Sequence, residues 1–363
     1  MNINNLLEKS SIIGASDLYI SVGAVPTARI GESFRYIDNT IVSPELSKKI
    51  LIDISSLNIY KNVESKGERD FSLETSDKRR YRVNAFMQKE NISLAIRIIP
   101  NKIPSLEELS LPPTLKSFTE KRSGLILVTG STGSGKSTTI ASLLDLINST
   151  QEKHIITIED PIEYLHRHKK SIVNQREVGK DTKNFNTGLR AALRQSPDII
   201  LIGEIRDAES MIAALRAAET GHLVFSTLHT TGGGKCIDRI VDMFSPSEHH
   251  QIRSQLASAF EGMLSQQLIP RKNISEKNVL GREILSCSMV VATEIMLGTS
   301  AIKNSIKEGK THQISNLIQI GSKYGMITMD QSLINLFFEG AISEDNLISR
   351  CNNTEFVRRF IKN

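Results

Sequence analysis

Residues 124–139 read GLILVTGSTGSGKSTT, and this stretch decides the fold of the larger part of the chain. The apolar run 124–129 is typical of a buried strand, and the amphipathic run 140–147 beyond the turn is typical of a helix. Between them, Gly130–Ser137 fits the pattern G-x-x-x-x-G-K-[ST] of a phosphate-binding loop. Glycines in such a loop let backbone N–H groups point at phosphate oxygens, at the positive end of the following helix. The stretch therefore predicts a strand, a triphosphate-binding turn and a helix.

Individual residues of the turn have separate expected roles. Lys136 is expected to reach the β- and γ-phosphates of ATP, and Ser137 to bind Mg²⁺. The other expected nucleotide-binding residues are Gly130, Ser131, Thr132, Gly133, Ser134, Gly135 and Thr138. So short a pattern can also arise by chance, but the flanking strand and helix are the context that the motif requires.

Bulk composition narrows the class of protein. At 363 residues the chain exceeds one typical domain, so two domains are expected. No apolar run approaches the ~20 residues needed to cross a bilayer, and the N-terminus carries no signal-peptide pattern, so a cytoplasmic protein with only peripheral membrane association is expected. Cys236, Cys287 and Cys351 form no C-x-x-C pair, which argues against disulfides and a thiolate zinc site.

The net charge of +5 would suit a nucleic-acid partner. However, the basic residues are spread thinly, tryptophan is absent and aromatic residues make up only 5% of the chain, which leaves little for base stacking. No nucleic-acid partner is therefore expected.

Residues 1–100 show short alternating runs at 17–22 and 80–86 around a helical stretch at 43–54, which predicts a small α+β domain. Three prolines within residues 101–122 predict a linker.

For residues 123–363 the predicted fold class is α/β. Apolar strands at 155–158, 199–202 and 223–225 alternate with helical stretches, as in a parallel sheet covered on both faces. From about residue 249 onward a mostly helical region is expected. Its predicted helices are 249–267, 300–308, 312–321 and 329–339.

Two acidic segments follow predicted strands. Asp198–Glu204 is an apolar strand between two acids, and Glu204 lies at its carboxyl end, where ligands bind in open α/β sheets. A carboxylate there can orient the hydration shell of Mg²⁺ or the attacking water. An acid on the surface at a strand end is the alternative, and the upstream phosphate loop favours the catalytic interpretation.

The second segment, Thr157–Glu163, crowds Glu159, Asp160 and Glu163 around a proline. Crowded carboxylates are unfavourable unless a cation or hydrogen bonds offset their repulsion. Its spacing is equally consistent with a Mg²⁺ ion holding a water and with an exposed acidic turn.

His222 and His229 flank the apolar run 223–228, so they are expected at the two ends of one strand. At that separation they lie too far apart to share a metal ion, and spacing assigns them no role. The remaining histidines of this half of the chain that stand in polar surroundings are expected to be solvated; these are His166, His168, His249 and His250.

Several segments occur together in one order. These are the phosphate loop, 157–163, 175–179, 189–194, 203–207 and 220–230. The set resembles the type II/type IV secretion ATPase superfamily, and most of all its twitching-motility (PilT-type) pilus retraction ATPases. Residues 16–18 and 82–86 resemble the N-terminal PAS-like domain of that family, and 301–308 resembles its C-terminal A-I-R-N-L-I-R-E motif. The resemblance covers nearly the whole chain.

The resemblance implies a RecA-like ATPase domain and roles that spacing alone did not indicate. Segment 159–163, with Glu159, would be the family's acidic box and His222 and His229 would belong to its histidine box, both lining the nucleotide site. Glu204 would be the Walker B glutamate and Glu163 would share the placing of water, so that both hold Mg²⁺ through water. Arg82 and Arg97 would meet the phosphates when the domains close, whereas without the family they would be interpreted as a solvated strand face.

The function implied is that of a cytoplasmic, Mg²⁺-dependent ATPase. It would form a homohexameric ring at an inner-membrane platform protein and power type IV pilus retraction through ATP-driven domain motions. The four-cysteine zinc module and the further N-terminal domain of the extension and type II secretion branches are absent, which favours retraction. The alternatives are the ATPase of a type IVB secretion or conjugation-pilus system, and a protein that binds ATP for regulation without hydrolysing it.

This chain departs from the family at two places. Lys303 and Lys307 stand where arginine is usual, and Ser305 where leucine is usual. Lysine keeps the charge but loses the bidentate geometry of arginine. Gly232–Gly234 also interrupts what is commonly a helix start, and the sequence offers no reason for it.

Overall fold

The computed structural model describes residues 2–30, 33–76, 79–99, 102–272 and 289–361. Cys287 and the first position of the predicted linker, 101, lie outside these ranges. The chain divides into two units, Met1–Lys102 and Ile103–Asn363. Within the described ranges, no helix combines the length and the apolar character that crossing a membrane requires.

The first unit is an antiparallel sheet packed against helices. Its strands are β1 (Asp17–Ile20), β2 (Thr27–Ile30), β3 (Ser33–Tyr36), β4 (Glu68–Glu74), β5 (Arg80–Gln88) and β6 (Asn91–Ile99). Its helices are α1 (Ile3–Ile12), α2 (Pro44–Ile54) and α3 (Leu57–Lys66). The strand order is β3-β2-β1-β6-β5-β4. One sheet face is buried through alternate side chains such as Leu18, Val83 and Ile96, which leaves polar residues on the other face.

The predicted elements of this unit are confirmed, with ends shifted by one or two residues. Helix α2 begins at Pro44 because Ser43 caps it, its side chain accepting the N–H of Leu46, and because proline suits the first helical position. Strands β1 and β5 occupy the two alternating runs that the sequence analysis identified.

The second unit is built on a seven-stranded sheet. Its strands are β7 (Gly124–Thr129), β8 (His154–Glu159), β9 (Ile172–Glu177), β10 (Ile199–Ile202), β11 (Leu223–Leu228), β12 (Phe260–Pro270) and β13 (Met289–Leu297). Their order is β13-β12-β7-β11-β10-β8-β9. Only the β12–β13 pair is antiparallel among the pairings of these described strands.

Helices cover both faces of this sheet. They are α4 (Lys116–Thr119), α5 (Lys136–Thr150), α6 (Phe185–Ala192), α7 (Ala208–Glu219), α8 (Gly233–Val241), α9 (His249–Ala259), α10 (Ser300–Lys307), α11 (Ile314–Ile320), α12 (Met329–Phe338), α13 (Glu344–Arg350) and α14 (Thr354–Ile361). Every residue of β7 is buried. Leu125 and Leu127 face one apolar cluster and Ile126 and Val128 the other, as the predicted α/β class requires.

The predicted helix 249–267 is wrong beyond residue 259. Helix α9 ends at Ala259, and the next eleven residues form β12, which pairs in parallel with β7. A short apolar run cannot be assigned to helix or strand by periodicity alone, and here pairing with the side of β7 that faces away from β11 decides. Gly262 lies where β12 passes the ring of Phe118, which a Cβ at this position would overlap.

The predicted linker 101–122 is also corrected, because residues from 103 onward pack into the second unit. Leu106, Leu111, Leu115 and Phe118 are buried in the apolar cluster on one face of the sheet. Pro113 begins a short 3-10 helix in this segment, and the buried apolar residues anchor the segment to the sheet.

Two of the three glycines that the sequence left unexplained, Gly233 and Gly234, are required by close packing, whereas Gly232 is favoured by its positive φ. Gly232 has a φ of 89° and precedes α8, and the N–H of Gly233 donates to the buried carboxylate of Glu294 at 2.6 Å. A Cβ on Gly234 would lie 2.8 Å from the carbonyl oxygen of Thr311. Larger residues at positions 233 and 234 would push the neighbours of this helix apart.

Candidate functional site

The turn between β7 and α5 has the strand–turn–helix context predicted for a phosphate loop. Gly130, Gly133 and Gly135 have positive φ values of 145°, 79° and 90°, which glycine adopts at little cost. A Cβ at Gly130 would lie 2.5 Å from the carbonyl oxygen of Gln266. Ser131 and Thr132 of the loop are exposed, whereas Ser134 is buried, so the rim of the loop is accessible to a ligand.

Lys136 is the first residue of α5, and its side chain folds back into this turn. Its ammonium donates to the carbonyl oxygens of Gly130 at 2.8 Å and Ser131 at 2.9 Å. Burial lowers the pKa of Lys136, and the negative charges of Glu163 and Glu204 partly oppose that effect. A cation held by carbonyl groups can exchange them for phosphate oxygens at little cost, because it is already desolvated.

The two residues after Lys136 occupy the first turn of α5. Ser137 and Thr138 are both half-buried. The hydroxyl of Thr138 is 2.9 Å from the hydroxyl of Tyr164, so the acidic segment after β8 is tied to the start of the helix. Sequence reasoning missed Tyr164, which carried no signal beyond its place next to Glu163.

Glu204 follows β10 and is brought to the same sheet edge as the loop, since β7, β11, β10 and β8 are adjacent and parallel. Its carboxylate pairs with the guanidinium of Arg206 and lies 3.2 Å from Nε2 of His229. Burial alone would raise the pKa of Glu204, but the hydrogen bonds and charges of Arg206 and His229 outweigh it and lower that pKa. Glu204 therefore remains ionised, as a water-orienting base requires. Sequence reasoning did not assign Arg206.

Glu159, the last residue of β8, is held by hydrogen bonds. The hydroxyl of Thr157 donates to its Oε1 at 2.6 Å and the amide of Gln175 donates to the same oxygen at 3.1 Å. Burial raises the pKa of Glu159 to about 7, and the charge of Glu163 adds to this although the two hydrogen bonds oppose it. The Glu159 carboxylate is thus neither part of an exposed acidic turn nor freely available as a ligand.

Glu163 is half-buried, and its charge acts on Lys136 more strongly than that of Glu204. Among the described residues, no three His, Cys, Asp or Glu side chains are grouped as a metal site. Mg²⁺, however, is usually bound by one or two carboxylates together with substrate phosphates. Glu163, Glu204 and the Ser137 hydroxyl beside a phosphate loop fit that pattern.

His222 and His229 lie at the two ends of β11, as predicted, so only His229 reaches the loop edge of the sheet. The carbonyl oxygen of His222 accepts the N–H of Gly124, the first residue of β7, and its Nδ1 lies 3.0 Å from the carbonyl oxygen of Ala217. A six-residue strand spans about 20 Å. Within one chain, His222 is therefore not brought to the phosphate loop, contrary to the expectation that both histidines line one site.

His166 also differs from expectation. It was expected to be solvated, but its Nδ1 is buried without a hydrogen-bond partner in the described structure. Burial lowers the pKa of His166 to about 4, so the ring is neutral at physiological pH.

Arg82 and Arg97 belong to the first unit, where they face each other on β5 and β6. Nε of Arg97 lies 3.3 Å from Oδ1 of Asp17, and Nη2 of Arg82 lies 4.0 Å from Oδ2 of Asp70. Both arginines lie on the polar face of the sheet, as expected of a solvated strand face.

The divergent C-terminal motif forms α10. Nζ of Lys303 lies 2.7 Å from one oxygen of Glu261, and Nζ of Lys121 lies 2.8 Å from the other. Burial would raise the pKa of Glu261, but both lysines together lower it. Lysine at position 303 thus preserves a charge contact between α10 and β12.

The raised pKa of Glu159 predicts a pH-dependent stability difference. Folded protein keeps this proton up to about pH 7, whereas the unfolded chain loses it near 4.5. Stability contributed by the protonated form is thus present below pH 4.5 and lost as the pH rises to 7. We expect the free energy of unfolding of Glu159→Gln to rise relative to that of the unmodified chain as the pH increases from 5 to 8. The rise should be at most about 3 kcal/mol.

Urea unfolding of both proteins in EDTA measures this difference. Glu152→Gln, an exposed change just before β8, is the matched control and should show no such trend. A difference for Glu159→Gln that does not vary with pH would contradict the assignment.

The chain is similar to a known protein family and to individual members of it. The family model described as "Type II/IV secretion system protein" matches residues 42–338. The chain is 44% identical to the "Type IV pilus retractation ATPase PilT" of Pseudomonas aeruginosa over 95% of this chain and 97% of the relative. It is 40% identical to the "Twitching motility protein" of Neisseria gonorrhoeae over 98% of this chain and 91% of the relative.

Two solved structures are also similar. A crystal structure of the pilus retraction motor PilT with bound ADP has a TM-score of 0.88 at 40% identity and covers 99% of both chains. The Legionella pneumophila ATPase DotB has a TM-score of 0.79 at 28% identity, covering 95% of this chain and 94% of its own.

Proposed function

Since the chain belongs to the type II/IV secretion system protein family, whose model matches residues 42–338, we propose that it is an ATP-hydrolysing motor that powers type IV pilus retraction. The likeness to a pilus retraction ATPase along 95% of the chain is the observation that carries this proposal. The likeness to the ATPase DotB is weaker in both identity and TM-score than the likeness to the pilus retraction motor PilT. Retraction is therefore favoured, and the rival is the motor of a type IVB secretion or conjugation system.

ATP binds with its phosphates in the loop Gly130–Thr138. Lys136 exchanges its two carbonyl partners for β- and γ-phosphate oxygens, which leaves its positive charge where negative charge develops. Glu204, kept ionised by Arg206 and His229, orients the attacking water. Positioning and charge stabilisation of this kind account for most of phosphoryl-transfer catalysis.

Mg²⁺ would be held by the hydroxyl of Ser137 and, through water, by Glu163 and Glu204. When bound, it would neutralise phosphate charge during the transfer. Support for the ion comes from these three groups at one sheet edge beside the loop, a donor set that suits a hard cation.

Arg82 and Arg97 complete the proposed site by contributing fixed positive charge to the phosphates. Guanidinium groups suit this task because their planar fork matches phosphate oxygens. In this proposal the first unit is PAS-like, the second is RecA-like, and the motor is a homohexamer whose domain motions follow ATP binding and hydrolysis. It acts in the cytoplasm, peripherally at the inner membrane, on a platform protein of the pilus machine.

Deletion of the gene in its own organism tests retraction directly. We expect cells with excess pili that do not retract and that have lost twitching motility, restored by the unmodified gene and not by Lys136→Ala. Normal or reduced pilus number, with a defect in secretion or conjugation instead, would contradict retraction and favour the rival motor. Stimulation of hydrolysis by DNA at physiological salt would indicate a nucleic-acid translocase.

A further inference from the structure

A row of charged side chains crosses the polar face of the sheet in the first unit. Arg29, Asp17, Arg97 and Arg82 are direct neighbours in register on β2, β1, β6 and β5. Directly opposite residues on adjacent strands point to the same face, with Cβ atoms about 5 Å apart. Each has a buried apolar neighbour along its strand, Ala28, Leu18, Ile96 and Val83 respectively. The row therefore lies on the sheet face opposite the core.

Asp17 is the acid within this row, between Arg29 and Arg97. Its Oδ1 lies 3.3 Å from Nε of Arg97, and its Oδ2 accepts the hydroxyl of Ser16 at 2.9 Å. The side chain of Asp17 is 17% exposed, whereas that of Arg97 is 63% exposed. The carboxylate of Asp17, held at the sheet surface, thus binds the inner end of the Arg97 guanidinium, whose outer end extends toward solvent.

The atom that Asp17 contacts decides what Arg97 can still bind. A guanidinium has five N–H donors in one plane. With Nε engaged by Asp17, the four N–H donors of Nη1 and Nη2 remain at the outer end, and these can make two parallel bonds to phosphate oxygens. An unanchored arginine would lose more rotamer freedom on binding.

We propose that Asp17 is a positioning residue for ATP hydrolysis, which orients the outer fork of Arg97 toward the phosphates. The inference rests on the proposed function, in which Arg97 meets the phosphates. Because Arg97 is largely exposed, its pair with Asp17 contributes little to stability, and the role assigned to Asp17 is orientation. This assigns a task to the segment Ser16–Leu18, which the proposed function otherwise leaves without one.

Steady-state hydrolysis by the full-length Asp17→Asn protein tests the proposal. We expect kcat to fall roughly 10- to 100-fold, the usual cost of a misplaced catalytic group, with the KM for ATP and the thermal unfolding midpoint little changed. Asp53→Asn, the same substitution at an exposed position of α2, is the control and should hydrolyse ATP at the unmodified rate. Ser16→Ala removes the hydrogen bond to Oδ2 and a longer one, at 3.4 Å, to the carbonyl oxygen of Arg29. It should lower kcat in the same direction by less.

The coupling to Arg97 separates positioning from a general structural effect. In an Arg97→Ala background, Asp17→Asn should cause no further loss, because there is no guanidinium left to orient. An equal loss in both backgrounds, or unchanged kcat for both Asp17→Asn and Ser16→Ala, would overturn the inference. If the Asp17→Asn protein does not fold, Ser16→Ala replaces it. Its effect on kcat is then compared in the unmodified and Arg97→Ala backgrounds. If Arg97→Ala itself leaves hydrolysis unchanged, the proposed role of Arg97 fails, which is a different result.

Discussion

Lys136→Ala is expected to abolish ATP hydrolysis, lowering kcat/KM by at least about 10³-fold. The loss follows from removing the one ammonium that lies inside the loop, 2.8 Å and 2.9 Å from two of its carbonyl oxygens. A single donor aimed at developing negative charge is worth about 10²–10³ in rate, and a charged donor in a desolvated turn is worth more. Phosphate release by the purified protein with Mg²⁺ measures the effect.

Lys136→Arg is the informative companion variant. It keeps the charge, but its planar fork cannot occupy the space of an ammonium enclosed by the loop, so we expect it to be nearly as inactive. Both variants should unfold near the temperature of the unmodified chain without nucleotide and should lose the stabilisation that added ATP provides. Turnover by Lys136→Ala within about tenfold of the unmodified rate would show that the loop is not the phosphate site.

Glu204→Gln is expected to lower kcat by about 10²–10³-fold while ATP binding is retained. The amide has the shape of the carboxylate but no negative charge, so it can neither polarise the attacking water nor balance Arg206 and His229. Nucleotide affinity should persist because it depends mainly on the loop and Lys136. Single-turnover hydrolysis and a fluorescent-nucleotide titration separate the two effects.

Glu209→Gln is a suitable control, because that glutamate is exposed on α7 and pairs with Arg190 at the surface. It should behave as the unmodified protein in both assays. If Glu204→Gln instead loses nucleotide affinity while kcat is unchanged, Glu204 supports the binding of ATP and another group orients the water.

The strand–turn–helix at 124–139 and the placement of Glu204 were predictable because their signals are local. Residues 124–139 specify their own strand, turn and helix through apolar periodicity and through glycines at positive φ. The position of Glu204 could be predicted from a general rule, because parallel strands bring their carboxyl ends to one edge of the sheet. The histidines illustrate the limit of this rule, because only His229 stands at the carboxyl end of β11.

Other features depended on partners distant in the chain. Residues 260–270 became a strand because the edge of β7 was available for pairing, a fact that no local pattern of the segment contains. Residue spacing also did not indicate the contact of Arg206 with Glu204. The same holds for the contact of Tyr164 with Thr138.

The amino-acid sequence was sufficient for the strand, turn and helix of residues 124–139, because such a turn is made by consecutive residues whose backbone conformations are set locally. The contact between Asp17 and Arg97 forms only in the folded sheet. These residues are 80 positions apart, and they meet because β1 and β6 pair in one register, which depends on burying Leu18 and Ile96 on the opposite face.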